Sequence, residues 1–237
     1  MIKVILCDDH ALIRRGIRDT LADAADIEVV GEAGDYGELR SLMRGLASGG
    51  RDAGPAGAAT GAHPSTHGIG CDVLVLDINL PGRSGLDVIH VLKDEGSPVK
   101  VLVVSMYPED QYAIRSLRAG AYGYVNKGGD PQLIVQAVRT VAQGRKYVTP
   151  EIAQMLVESL TTTVPEHAHD KLSDRELQTL VMIASGKRLS DIAQQLTLSP
   201  KTVSVYRARV LEKLGLQNNA ELTVYAIRQG LVGEVLR

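Results

Sequence analysis

The sequence predicts an α/β protein in which a five-stranded, doubly wound parallel sheet is followed by a small all-α helix-turn-helix domain. Three observations carry this reading. Short apolar runs rich in Val and Ile alternate with amphipathic stretches through the first two-thirds of the 237 residues, as in strands buried on both faces and joined by crossover helices. That alternation ends near residue 143, and a purely helical pattern punctuated by caps and turns follows from residue 171. The charge changes sign across the same region. From Lys171 onward ten Lys/Arg face six Asp/Glu, a net +4, whereas the first 170 residues carry −6.

In order, strands are expected at residues 3–7, 27–32, 73–77, 101–105 and 122–126, each short, apolar and β-branched. Amphipathic stretches at 11–23, 85–94 and 110–119 read as helices between them. Asp130-Pro131 is an N-cap followed by Pro at the first helical position, opening a fifth helix to about Gln143. The segment from Ala47 to Gly70 breaks the rhythm, with seven Gly, six Ala and two Pro among its 24 residues. Lacking any period that buries a face, it is expected to be a surface loop. His63 and His67 within it lack the Cys or carboxylate pattern of a metal site. Thr149-Pro150 opens a further helix to about Ser159, and TTTVPEHAHDK reads as a linker. The chain therefore divides into residues 1–145 with the Gly/Ala-rich insertion at about 47–70, a helix and linker at 146–170, and a helical domain at 171–237.

Hydrophobic residues make up 44% and charged residues 23%, which suits a soluble protein with real cores. No apolar run is long enough to span a bilayer, and MIKVILCDDH reaches two Asp within nine residues, so it is no signal-peptide core. Cys7 and Cys71 each sit in an apolar stretch and are read as small buried residues of a reduced protein. Together these features point to the cytoplasm.

The strand ends collect chemistry. Asp8 and Asp9 follow the first strand, Asp77 ends the third, Ser105 the fourth, and Lys127 follows the fifth. In a parallel sheet with the first and third strands adjacent, three carboxylates converge on one carboxyl edge, and such anions repel unless a cation joins them. Hard oxygen ligands suit Mg²⁺. A carboxylate nucleophile, a hard cation, a lysine and a hydroxyl are parts that accept a phosphoryl group and neutralise its charge. A lone Asp at a strand end is usually a helix cap, and a lone Lys is usually solvated. Five such residues at four strand ends in the right order are far less easily accidental.

CDDH, LDINLPGRSG, VVSMY and AGAYGYVNKG resemble the receiver domain of response regulators over about residues 1–128, outside the insertion. The resemblance implies that Asp77 is the phospho-acceptor, and that Asp9, Asp77 and the Asn79 carbonyl bind Mg²⁺ with Asp8 assisting. It implies equally that Ser105 and Lys127 hold phosphoryl oxygens and that Tyr124 swings inward with Ser105. Two features depart from the family pattern. The insertion lies between Asp9 and Asp77, where a longer surface loop costs only about 0.6 kcal/mol per doubling. Gly128 stands where many receivers have Pro.

In the basic domain, Ser173-Asp174-Arg175-Glu176 is a capping box before an apolar helical run to Ala184, which Ser185-Gly186 stops. A short helix at 189–196, the turn Thr197-Leu198-Ser199, and a helix from Ser199-Pro200 to Leu214 capped by Gly215 form a helix-turn-helix. A last helix is expected at about 220–229. On the 200–214 helix, Val203, Val210 and Leu214 fall on one face and are assigned to the core. Lys201, Val205 and Arg209 point the opposite way with Ser204 beside them, a mixture that suits a major groove. Lys201 and Arg209 are expected to hold phosphates and Ser204 and Val205 to read bases. Arg207 should pack its stem and extend its head to the DNA backbone.

The segments LSDRELQTLVMIASG, LSPKTVSVYRARVLEKLGL and AELTVYAIRQGLV resemble the LuxR-type helix-turn-helix, which with the receiver makes the chain similar to the NarL/FixJ family. Its Tyr206-Arg207 version resembles GacA/UvrY-like members. The resemblance adds Thr202 and Tyr206 to the DNA-contacting set, and implies duplex DNA, a cognate histidine kinase and a second copy of the chain as partners. Many relatives carry Lys and His at the positions of Ser204 and Tyr206, so their DNA sequence does not transfer. With no Phe and no Trp in the chain, single-strand recognition by aromatic stacking is disfavoured.

Two other classes compete. An aspartyl-phosphate enzyme would supply an acid/base carboxylate two residues after Asp77, where this chain has Asn79, and no G-x-G-x-x-G follows the first strand. A constitutive DNA-binder would not need the intact pocket. The expected role is that of a phospho-acceptor rather than an enzyme.

Overall fold

The computed structural model describes residues 1–49, 70–107, 109–161 and 168–232. His63, His67 and most of the Gly/Ala-rich insertion lie outside these, as does the middle of the expected linker. The chain divides into two compact units, Met1–Ile152 and Ala153–Arg237.

The first unit is built on five parallel strands, β1 (Ile2–Cys7), β2 (Ile27–Ala33), β3 (Val73–Leu76), β4 (Lys100–Ser105) and β5 (Gly123–Asn126), in the order β2-β1-β3-β4-β5. All pairings are parallel, with Cys7 beside Leu76, Leu76 beside Val103, and Val103 beside Tyr124. Between them run α1 (Ala11–Ala22), α2 (Tyr36–Gly49), α3 (Gly85–Asp94) and α4 (Glu109–Ala119), and α5 (Gln132–Ala142) follows β5. The residues Ala47–Gly49, expected in the loop, continue α2 instead.

Alternation along the strands sends Val4, Leu6, Val73, Val75, Leu102, Val104 and Val125 to one face, where they pack with Ile17 and Leu21 of α1 and Ile134, Val135 and Val138 of α5. Ile5, Cys7, Leu74, Leu76, Val101 and Val103, of the opposite parity, are equally buried on the other face. Both cysteines are buried free thiols. Burial pushes the Cys7 thiol well above its ordinary range and the Cys71 thiol up to about 12.

Local signals set several boundaries. Ser84 caps α3 through a reciprocal pair with Asp87, its hydroxyl accepting from Asp87 N–H at 3.1 Å while the carboxylate accepts from Ser84 N–H at 3.2 Å. Asp130 accepts from Gln132 N–H at 2.9 Å, while Pro131 already has helical dihedrals. Gly123 has no room for a side chain, since a Cβ would stand 2.9 Å from Tyr147 Cβ. That closeness lets Tyr147 N–H bond the Tyr122 carbonyl at 2.8 Å along the outer edge of β5.

The helix α6 (Pro150–Thr161) carries the boundary between the units. The second unit contains a 3-10 turn (Ala168–Lys171), α7 (Asp174–Ala184), α8 (Leu189–Gln195), α9 (Pro200–Leu214) and α10 (Asn219–Arg228). Leu177, Leu180, Ile192, Leu196, Val203, Val210, Leu222 and Ala226 are buried. Leu214, expected in the core, is only half-buried, and Leu211 is buried in its place. At 100° per residue Val203 and Val210 lie 20° apart on the wheel; Leu214 falls 20° and Leu211 80° from Val203 on the same side, so the wheel favours Leu214 and it is packing that buries Leu211. Gly215 closes α9 in the left-handed region at φ 66°.

Candidate functional site

The pocket lies where the strand order reverses, between β1 and β3, at the carboxyl edge where open α/β sheets bind ligands. Asp8 follows β1 and is fixed by its own N–H, which donates to the Ala33 carbonyl at 3.0 Å. Asp77 follows β3, and its N–H donates to the Cys7 carbonyl at 2.8 Å. Lys127 follows β5, and its N–H donates to the Ser105 carbonyl at 2.8 Å. Each ladder thus runs one residue past the paired strand and sets a functional side chain over the edge.

The Lys127 ammonium stands 2.6 Å from Asp8 Oδ2 and 2.9 Å from Asp77 Oδ2, with all three side chains at most 5% exposed. Burial pushes the Asp77 carboxyl above its ordinary range, Lys127 opposes this, and Asp8 adds to it. Burial also raises Asp9, with His10 working against that and Asp8 reinforcing it. One Lys therefore serves a site with more negative than positive charge.

Asp8, Asp9, His10 and Asp77 bring ligand atoms within 4.8 Å of one another. Asp8 Oδ2 and Asp9 Oδ1 are buried without meeting hydrogen-bond geometry to any described group, although Lys127 and His10 stand at ion-pair distance. Carboxylate oxygens with lone pairs to spare and excess negative charge fit a hard divalent cation.

Behind the carboxylates, Ser105 is fully buried, and its hydroxyl accepts from Tyr107 N–H at 3.2 Å. Tyr124 is also fully buried, and its hydroxyl donates to the Tyr107 carbonyl at 2.7 Å. The ring expected to swing inward already lies inward here. Burial drives its phenol well above the ordinary range, with Ser105 as a hydrogen-bond partner that opposes this. Asn79 is half-buried, and its Oδ1 lies 3.4 Å from the Tyr107 hydroxyl.

Asp8, Asp77, Ser105, Lys127 and Tyr124 are thus gathered at one edge, with Asp9 and Asn79 beside them. Sequence reasoning missed three neighbours. His10 places Nδ1 2.7 Å from Asp9 Oδ1 and donates its N–H to Asp8 Oδ1 at 2.8 Å. Its adjacency to the two Asp was the available signal. Arg14 donates to the Asp8 carbonyl, and Tyr107 acts through its backbone, which no side-chain motif announces.

In the second unit, α9 exposes Lys201, Ser204, Val205 and Arg209 and half-exposes Thr202, Tyr206 and Arg207. Ser199 caps the helix by accepting from Thr202 N–H at 3.0 Å. The Ser204 hydroxyl donates to the Pro200 carbonyl at 2.9 Å, leaving its acceptor lone pairs outward. The Arg207 head, expected to reach the DNA backbone, donates to Asn219 Oδ1 at the start of α10.

A five-stranded receiver-type sheet with an acidic, lysine-bridged edge, joined to a helix-turn-helix, defines a response regulator. Residues 52–139 match the response regulator receiver domain family and residues 170–226 the LuxR family of bacterial regulatory proteins. The receiver match begins beyond β1 and β2, which the structure places in the same sheet. Response regulator GacA of Pseudomonas aeruginosa is 36% identical over 98% of each chain. Response regulator UvrY of Escherichia coli is 38% identical over 98% of this chain and 96% of its own. The chain belongs to the NarL/FixJ family of response regulators with a LuxR-type DNA-binding domain. Among solved structures, the RcsB response regulator of Salmonella typhimurium shares the fold at a TM-score of 0.65 and 24% identity, covering 98% of both chains. A LuxR-family regulator from an Aurantimonas species gives 0.53 and 29%, covering 68% of this chain and 98% of its own.

Proposed function

We propose that Asp77 is the phospho-acceptor and that its phosphorylation controls how α9 engages duplex DNA. The observation that carries this is the buried Lys127 ammonium shared between Asp8 and Asp77. In the transfer, an Asp77 Oδ attacks phosphorus, a new P–O bond forms, and the P–N bond to the histidine of a cognate kinase breaks, the imidazole leaving with the electron pair. Mg²⁺ held by Asp8, Asp9, Asp77 and the Asn79 carbonyl would neutralise charge on the phosphoryl oxygens. Lys127 trades its bond to Asp77 for a phosphoryl oxygen, and the Ser105 hydroxyl donates to another. Tyr124, already inward, is held there by that Ser105 movement, so phosphorylation stabilises an arrangement the protein reaches unaided. The chain acts as a phospho-acceptor; any loss of the group is slow hydrolysis.

On the DNA side, Lys201 and Arg209 contact phosphates, while Ser204 and Val205 face base edges, flanked by Thr202 and Tyr206. Arg207 anchors α9 to α10 through Asn219 and approaches the backbone only as part of that pair. The functional parts are residues 1–145, a connecting helix and linker at 146–170, and residues 171–237. Phosphorylated chains bind as a homodimer in the cytoplasm. Among the described residues no helix is long and apolar enough to cross a membrane.

The test incubates the protein and Asp77→Ala with Mg²⁺ and acetyl phosphate and weighs both intact. Gain of one phosphoryl group by the wild type alone is expected. Gain by neither, or equal gain by both, removes Asp77 from this role.

A further inference from the structure

The residue before the pocket lysine makes a connection that phosphoryl chemistry alone does not require. Asn126 ends β5 directly opposite Ser105. Its Nδ2 donates to the Tyr107 carbonyl at 3.0 Å, and its Oδ1 accepts from Gly128 N–H at 2.7 Å. Only one amide orientation satisfies both bonds, since a carbonyl needs a donor and an N–H an acceptor. The side chain therefore spans two turns, the one after β4 that carries Ser105 and the one after β5 that carries Lys127.

Two features make this span consequential. Lys127 is followed by Gly128-Gly129, the pair of residues least able to hold a backbone by themselves. The Gly128 N–H captured by Asn126 closes an Asx turn around Lys127 and supplies the missing order. The Tyr107 carbonyl, moreover, is filled on both lone pairs, by Asn126 and by the Tyr124 hydroxyl at 2.7 Å. The lysine turn and the Ser105–Tyr124 pair thus share a single acceptor.

We propose that Asn126 is a positioning residue that ties the Lys127 turn to the Ser105–Tyr107 turn and sets where the ammonium meets the incoming phosphoryl group. The proposal rests on phosphorylation at Asp77. Among the described residues the Asn126 side chain hydrogen-bonds to Tyr107 and Gly128 and to none of the carboxylates, so its loss is expected to impair transfer while leaving Mg²⁺ binding intact.

The test compares wild type, Asn126→Ala and Asn126→Ser in the full chain. Phosphorylation by acetyl phosphate is timed by intact mass, and Mg²⁺ binding is measured by calorimetry without donor. In each transfer the acetyl P–O bond breaks, acetate leaves, and a P–O bond to Asp77 forms. Asn126→Ala is expected to slow phosphorylation about 10-fold, as for a modest misplacement of a charge-stabilising group, with Mg²⁺ affinity within about twofold of wild type. Asn126→Ser keeps a short side-chain acceptor for Gly128 N–H but loses the donor to the Tyr107 carbonyl, and is expected to recover only part of the rate. The proposal is overturned if Asn126→Ala phosphorylates at the wild-type rate, if its Mg²⁺ affinity falls in step with the rate, or if Ser restores the full wild-type rate without the Tyr107 bond. A wild type that gains no phosphate at Asp77 refutes the phospho-acceptor reading instead, a separate outcome visible in the control.

Discussion

Replacing Asp9 with Asn should make the metal-free protein more stable and its response to Mg²⁺ weaker. In the pocket, Asp9 shares a site with Asp8 and Asp77, ligand atoms lying within 4.8 Å of one another. At an effective dielectric constant of about 20, two unit charges 4.8 Å apart repel by about 3.5 kcal/mol. His10 at 2.7 Å from Asp9 Oδ1 offsets part of this, and the Asp9 side chain is 20% exposed, so solvent screens more. A net gain of about 1–2 kcal/mol remains for Asp9→Asn, comparable with other relieved functional sites. For a unit of this length that is about 3–6 °C in the thermal midpoint. The measurement is thermal unfolding in chelator and then across a Mg²⁺ titration. Wild type should gain about 2.7 kcal/mol at a hundred times its dissociation constant, while Asp9→Asn gains little over the same range, so the two curves cross. If Asp9→Asn were less stable than wild type in chelator, the argument from charge crowding would be refuted, and His10 would be the stronger influence.

Gly85→Ala should destabilise the first unit by about 2–4 kcal/mol, because its Cβ would fall 2.3 Å from the Asp77 carbonyl oxygen, 2.9 Å from Ile78 Cα, and against the Gly85 N–H bond to Ile78. Denaturant unfolding checks the size, and a phosphorylation rate falling with it would tie the close contact to Asp77 placement. In the second unit Lys213 Nζ lies 2.6 Å from the nearly buried Glu176 Oε2, and removing Lys213 as Ala should cost about 1–2 kcal/mol, the exposed ammonium being partly screened. Burial would raise the Glu176 carboxyl, but bonds from Lys213 and Ser173 N–H outweigh it and hold it below its ordinary 4.5. A depressed folded-state value stabilises fully above the unfolded value, so this contribution is present above about pH 5 and is lost as pH falls through the folded value. Calorimetry of the helical unit from pH 6 to 3 should show a slope that Glu176→Gln flattens. Lys201→Ala should weaken DNA binding about equally across sequences and reduce the slope of log affinity against log salt by about 1, whereas Val205→Ala should change sequence preference with the slope unaltered.

Much of the architecture was legible because its determinants are local. The capping pair of Ser173 with Glu176, the Ser199-Pro200 start and the Gly215 stop each act within about one helical turn of sequence. Short apolar runs and the residues at their ends likewise pointed to acidic side chains meeting at one edge of the sheet. What the sequence by itself determined, then, is which residues stand at the ends of strands and on which face of α9 the exposed cations lie. Tertiary structure alone decided how lone pairs and charges are shared among them. Lys127 bridging Asp8 and Asp77, the Tyr107 carbonyl serving both Tyr124 and Asn126, Arg207 captured by Asn219, and Leu211 buried in preference to Leu214 all depend on separate elements meeting. The physical reason is range. A cap or a periodic face is satisfied by atoms a few residues away, whereas a buried charge or carbonyl is satisfied by whichever group packing brings within about 3 Å, and in this pocket that group comes from another strand.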